Sequence, residues 1–188
     1  MGSPQRRADA ESRLRKANAS LVAAKALLAL QPPCRDDAVN RAAVAALQAA
    51  RALVDSQWAK ISHPNWDPEW RPGMPRPLNP RDGFALQTLQ KLLDRFERLS
   101  HSLSLAPDFT QYLRTLAEDG LEADSGEAPA YDEEEARLAV GTAEKLVMTV
   151  AEQLGLAAEL RAAHRKEADA GGTSLLPRAG SVLPSRNP

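Results

Sequence analysis

The chain has 188 residues, of which 43% are hydrophobic, and this suffices for one domain of ordinary size with its own core. A formal net charge of −1 gives no general attraction to nucleic acid or to an anionic membrane. Aromatic residues make up only 4% of the chain, so the expected core is a layer of Ala and Leu between helices rather than the interior of a β-sheet protein.

The N-terminal third predicts two antiparallel helices. A first helix is expected from about Pro4 to Leu30, and the prolines at 32 and 33 end it. Its apolar seam repeats at spacings of four and three, with alternating small and large side chains: Ala10, Leu14, Ala17, Leu21, Ala24 and Leu28. Asp36 or Asp37 should cap a second helix. The connection is short enough to predict a hairpin, in which the many Ala residues allow close approach.

A segment rich in proline and tryptophan follows the second helix. It nearly repeats a tetrapeptide three times: His63-Pro64-Asn65-Trp66, Asp67-Pro68-Glu69-Trp70 and Arg71-Pro72-Gly73-Met74. Each proline fixes its own φ and keeps the preceding residue extended. We therefore expect residues 63–80, here called the strap, to be stiff and to present Trp66 and Trp70 four residues apart.

Three further helices are predicted after the strap. The third, opening at Asn79-Pro80, has the widest apolar face of the chain, so it is expected to be the central helix. A short fourth helix should end at Gly120, and residues 119–130 predict a mobile acidic loop. A long fifth helix is expected from about Tyr131 to Ala170, with an apolar seam of its own.

These elements predict an all-α bundle of four to five helices in a single domain over residues 4–170. Every apolar run follows a period near 3.5, and none alternates with a period of two. Residues 171–188 are expected to be a disordered tail. If a seam on the first or fifth helix stays exposed, two copies of the chain would pair as a homodimer.

The sequence also carries signals about location. Cys34 is the only cysteine, which excludes an internal disulfide and fits a reducing compartment. The apolar run 21–30 contains Lys25 and lacks the flanking residues of a signal peptide or a membrane span. We therefore expect a cytoplasmic protein without a membrane partner.

No motif in the chain points to catalysis. The three histidines, His63, His101 and His164, are not spaced as metal ligands on a helix, and no phosphate loop or dinucleotide-binding glycine pattern occurs. The expectation is a non-enzymatic protein with no metal, no cofactor and no small-molecule substrate.

Three interpretations of the strap remain. In the first, its aromatic side chains are a docking epitope for a partner protein. In the second, they stack on unpaired bases of single-stranded or end-containing DNA. In the third, they pack on the bundle and hold the strap in place. The DNA interpretation makes the protein an accessory factor in genome maintenance, and a self-associating structural bundle is a further alternative. The candidate binding residues lie in and near the strap and on the first helix: Trp66, Trp70, Arg71, Arg76, Arg81, Arg6, Arg7, Arg13, Arg15 and Lys16. We expect a macromolecular partner to contact both regions.

Overall fold

The computed structural model describes residues 4–61, 84–106, 108–125 and 131–162. The helices are α1 (Pro4–Leu28), α2 (Arg35–Ile61), α3 (Phe84–Ser102), α4 (Asp108–Ser125) and α5 (Glu133–Gln153). A short helical segment follows at 157–162. Within these ranges every regular element is a helix, which confirms the predicted all-α bundle. The strap, the 126–130 part of the acidic loop and the predicted tail lie outside the described residues.

The central helix is α2, which packs against each of the other four helices. The prediction that the third helix is central was therefore wrong. The reason lies in the alanines of α2, which are buried around most of its circumference: Ala38, Ala42, Ala43, Ala45, Ala46, Ala49, Ala50 and Ala52. Such small side chains let several helices approach the same helix closely. By contrast, α3 has a wide apolar face but packs on α2 and α4 at one side of the bundle.

The predicted hairpin of the first two helices is present, with α1 starting at Pro4 and ending two residues before the predicted end. Its seam residues Ala17, Leu21 and Ala24 are fully buried against the rest of the bundle. The seam of α5 is also inside the bundle, where Ala143, Leu146 and Val147 are fully buried. Most of both seams is therefore covered within one chain.

Two polar contacts and one close packing contact show how the helices lie relative to one another. Arg13 pairs with Asp55, so α1 is antiparallel to α2. Gly120, in the second half of α4, lies against Ala43, in the first half of α2. The side chain of Arg114 on α4 faces Glu97 on α3, and residues further back on α3 face the last turns of α4. Consequently α3 and α4 are antiparallel.

The fourth helix continues through Gly120 to Ser125 instead of ending at the glycine. The predicted helix end was wrong because this glycine has a packing role. A Cβ built on it would lie 2.4 Å from Cβ of Ala43, so the absence of a side chain allows α4 and α2 to touch. The side-chain amide of Asn40 also donates a hydrogen bond to the carbonyl oxygen of Gly120 at 3.4 Å.

The fifth helix begins close to the predicted start but ends at Gln153. Gly155 has a φ of 70°, a conformation that glycine adopts without the steric cost of a Cβ, and helical geometry resumes only at 157. The prediction of one helix reaching about Ala170 is therefore wrong at this break. Leu156 and Leu160 after the break are buried and complete the core at this end.

The N-terminus of α5 is held by a capping box. The Asp132 carboxylate accepts a hydrogen bond from the Glu135 amide at 2.8 Å, and the Glu135 side chain accepts one from the Asp132 amide at 2.9 Å. Asp132→Ala should lower the free energy of unfolding by about 1 kcal/mol, as loss of an N-cap typically does. Chemical denaturation followed by circular dichroism measures this. Asp132→Asn is the control, and its free energy of unfolding should fall much less. Equal decreases for the two variants would contradict a role for the cap.

Candidate binding surface

The structure describes half of the candidate binding residues. Trp66, Trp70, Arg71, Arg76 and Arg81 lie outside the described residues. The other five all lie on the first four turns of α1, where their contacts can be compared: Arg6, Arg7, Arg13, Arg15 and Lys16.

Arg13 is a largely enclosed basic side chain. Its side chain is 16% exposed, and its Nε lies 2.9 Å from Oδ2 of Asp55 on α2. The Nε–H does not point at this oxygen, since the buried nitrogen makes no directed hydrogen bond, so the contact is an ion pair. It joins the beginning of α1 to the last turns of α2. Arg13 is therefore engaged within the fold, which sequence reasoning did not foresee.

The remaining basic residues of α1 do not share one face. Arg15 is exposed and pairs with Glu11 one turn earlier. Arg7 and Lys16 are exposed, and their separation of nine positions corresponds to about two and a half turns, which places them on opposite sides of the helix. Arg6 lies almost two turns before Arg13, on the side that faces the bundle. The structure thus brings these charges to one end of the bundle but not into one row.

Acidic residues gather at the opposite end of the bundle, where α2 and α5 begin and α4 ends. Tyr131 links the three helix ends, because its amide donates to Asp36 at 3.0 Å and its hydroxyl donates to the carbonyl oxygen of Asp119 at 3.1 Å. The acids in these turns are Asp36, Asp37, Glu118, Asp119, Asp132, Glu133, Glu134 and Glu135. At the start of α2 and α5 they are favoured by the helix dipole. The bundle is therefore electrically polar despite its small net charge.

A groove of about 390 Å³ lies between α3 and α4. Leu89 and Leu93 line it from α3, and Ala117 and Leu121 line it from α4. Its polar rim consists of Gln90, Arg114 and Glu118. Leu121 is 52% exposed. The sequence held a signal for this site in the wide apolar face of the third helix.

Other classes of site have little basis in the described part of the chain. Within it, no group of three His, Cys, Asp or Glu side chains is arranged to hold a metal ion. None of the described helices combines the length and apolar character needed to cross a membrane. Comparison with protein-family models, with curated proteins and with solved structures finds no match for this chain.

Proposed function

We propose that this chain is a non-catalytic accessory protein that binds a protein partner at the end of the bundle where α1 begins and α2 ends. The Arg13–Asp55 ion pair is the observation that carries the proposal, because it holds the basic half of α1 beside the helix end from which the strap departs. Trp66 follows Ile61 by five residues, so chain length alone keeps it within about 18 Å of that end.

The residue types within this radius favour a protein interface. Tryptophan and arginine dominate the energetics of such interfaces, and each needs a partner that buries it. Exposed Arg7, Arg15 and Lys16 surround the region, while the cluster of acidic residues at the start of α2 and α5 lies at the other end. Electrostatic complementarity then favours a partner whose contact surface is acidic around an apolar pocket for Trp66.

The nucleic-acid alternative would use the same end of the bundle but has less support. Binding to phosphates requires several available cations along the path of the strand. Here Arg13 and Arg15 already pair with carboxylates, and Arg7 and Lys16 point in opposite directions. A mixed surface of this kind suits a protein partner better than a phosphate backbone.

Site-specific photo-cross-linking in the cells that produce the protein tests the proposal. A benzoylphenylalanine replacing Lys16 should form one discrete adduct with another protein on irradiation. The matched control is the same group replacing Leu138, which is 69% exposed but lies on α5 in the acidic half of the bundle, and it should form none. Trp66→Ala in the Lys16 background should lower the adduct yield by about tenfold or more, as expected for a central interface tryptophan.

Three results would contradict this function. Equal adduct yields from positions 16 and 138 would show that the partner does not bind at one end of the bundle. An adduct yield that does not change with Trp66→Ala would show that Trp66 takes no part in the contact. Alternatively, fluorescence anisotropy with a labelled single-stranded oligonucleotide at physiological salt would assign the surface to DNA if binding occurred and depended on Trp66. Circular dichroism of each variant checks that the helix content is unchanged.

A further inference from the structure

We propose that two copies of the chain pair through the solvent-facing side of α5, in an antiparallel arrangement about a two-fold axis. This side of the helix carries Glu134, Leu138, Gly141 and Lys145, here called the α5 stripe. The apolar seam of α5 lies on the other side of the helix and is buried, so the pairing uses a different face from the one that the sequence indicated. It is also separate from the partner surface at the start of α1.

The α5 stripe combines a protruding side chain with a gap. Its four residues share one face of the helix because they are spaced by four, three and four positions. Leu138 is the most exposed large apolar residue in the described part of the chain, at 69%. Gly141 leaves open space beside it, since a Cβ built there meets no atom within 4 Å. A leucine and a space that could receive one therefore lie about one turn apart.

The charged residues of the stripe are available to a partner. Glu134 and Lys145 are exposed, and neither makes an ion pair within the described residues. The adjacent Glu133 is the acid that pairs with Arg137. Glu134 and Lys145 lie eleven positions apart, which is about 16 Å along the helix axis, so they cannot pair with each other in one chain. The stripe thus presents an acid near one end and a base near the other.

An antiparallel second copy matches this stripe to itself. With the two-fold axis between positions 138 and 141, Glu134 of each copy lies opposite Lys145 of the other. The same register sets Leu138 of each copy opposite Gly141 of the other, where the open space receives it. Both contacts occur twice, as in any isologous interface. A parallel arrangement would instead place equal charges side by side, which is unfavourable.

The same register adds a third reciprocal contact and sets the strength of the dimer. It places Tyr131 opposite Met148 of the other copy, and contacts between a thioether and an aromatic ring are favourable. Both residues are half-buried within their own chain. One helix face from each copy is smaller than a standard protein interface, so we expect a weak dimer that dissociates on dilution.

Exchange of the two charges tests the pairing in the full chain. Glu134→Lys places like charges at both ion pairs of the dimer, and it should raise the dissociation constant at least about tenfold. Lys145→Glu should have the same effect. The double variant restores opposite charges in exchanged positions, so its dissociation constant should return to within about threefold of the original. Sedimentation velocity over a range of protein concentrations measures these constants.

Further variants and a control complete the test. Gly141→Gln fills the gap and should prevent pairing, while circular dichroism shows unchanged helix content. Glu159→Lys changes an exposed acid beyond the break after α5, and it should leave the dissociation constant unchanged. In the photo-cross-linking experiment, a bond between two copies at position 138 gives twice the mass of one chain, so it is distinct from an adduct with another protein. A monomer at every concentration, or a double variant that pairs as weakly as the single variants, would overturn the proposal.

Discussion

Replacing Phe96 with alanine should lower the free energy of unfolding by about 3–5 kcal/mol. Phe96 is 1% exposed and belongs to the same apolar cluster as Leu99 and Leu113, so its removal leaves a cavity at the junction of α3 with the bundle. Typical domains are stable by about 5–15 kcal/mol, and the loss is thus a large share of the total. Denaturant unfolding followed by circular dichroism measures it.

Tyr112→Ala provides the control for this change. Tyr112 is an aromatic residue on the neighbouring helix α4, but it is 41% exposed and contacts Phe109 edge to face with ring centroids 6.3 Å apart. Its replacement should lower the free energy of unfolding by on the order of 1 kcal/mol, the size of one such aromatic contact. Similar losses for both variants would show that Phe96 does not anchor α3.

Gly120→Ala should destabilise the protein by about 1–3 kcal/mol, as overpacking of a close contact does. The new methyl group would meet Cβ of Ala43 at 2.4 Å, and α4 must move away from α2 to relieve the clash. The sign is informative, because the same change in an open helix interior stabilises the protein by up to about 1 kcal/mol. Urea unfolding at equilibrium distinguishes the two signs.

Gly141→Ala is the matched control for Gly120→Ala. Gly141 also lies inside a helix, but a Cβ built on it meets no atom within 4 Å, so this variant should be more stable than the original chain. Combining Gly120→Ala with Ala43→Gly moves the methyl group from one helix to the other and should recover part of the loss. A stabilising effect of Gly120→Ala would contradict the close contact between α2 and α4.

The local features of this fold were readable from the sequence. The seam with spacings of four and three predicted the course of α1 and its burial on one face, because helical periodicity depends only on residues close in the chain. The prolines at 32 and 33 marked the end of the first helix for the same reason. The start of α5 was predicted near Tyr131, and the structure has it at Glu133, after the Asp132–Glu135 capping box, an interaction confined to one turn.

Features that depend on distant residues were not readable in this way. The central position of α2 follows from alanines that are buried by several helices at once, whereas the apolar width of α3 made it the stronger candidate by local criteria. Gly120 has the usual signature of a helix end, and only its contact with Ala43, far away in the chain, explains why the helix continues.

The same difference between local and long-range features applies to the candidate binding surface. Its residue types were chosen by local composition, yet the availability of Arg13 is decided by Asp55, which lies on another helix. Likewise, the groove between α3 and α4 is lined by residues that are distant in the chain, such as Leu89 and Leu121. Charge and aromatic content therefore indicated a binding protein but did not place its surface.

The unequal packing of α2 and α3 also bears on the motions of the protein. Free energies of local opening range from near zero up to that of global unfolding, and they follow the amount of buried contact. Because α2 contacts each of the other four helices, it can lose its structure only when the whole bundle does. In contrast, the main contacts of α3 within the described residues are with α2 and α4, so it can detach while the other helices stay folded. Partial opening is therefore expected to begin at α3, and the α1–α2 hairpin should persist longest.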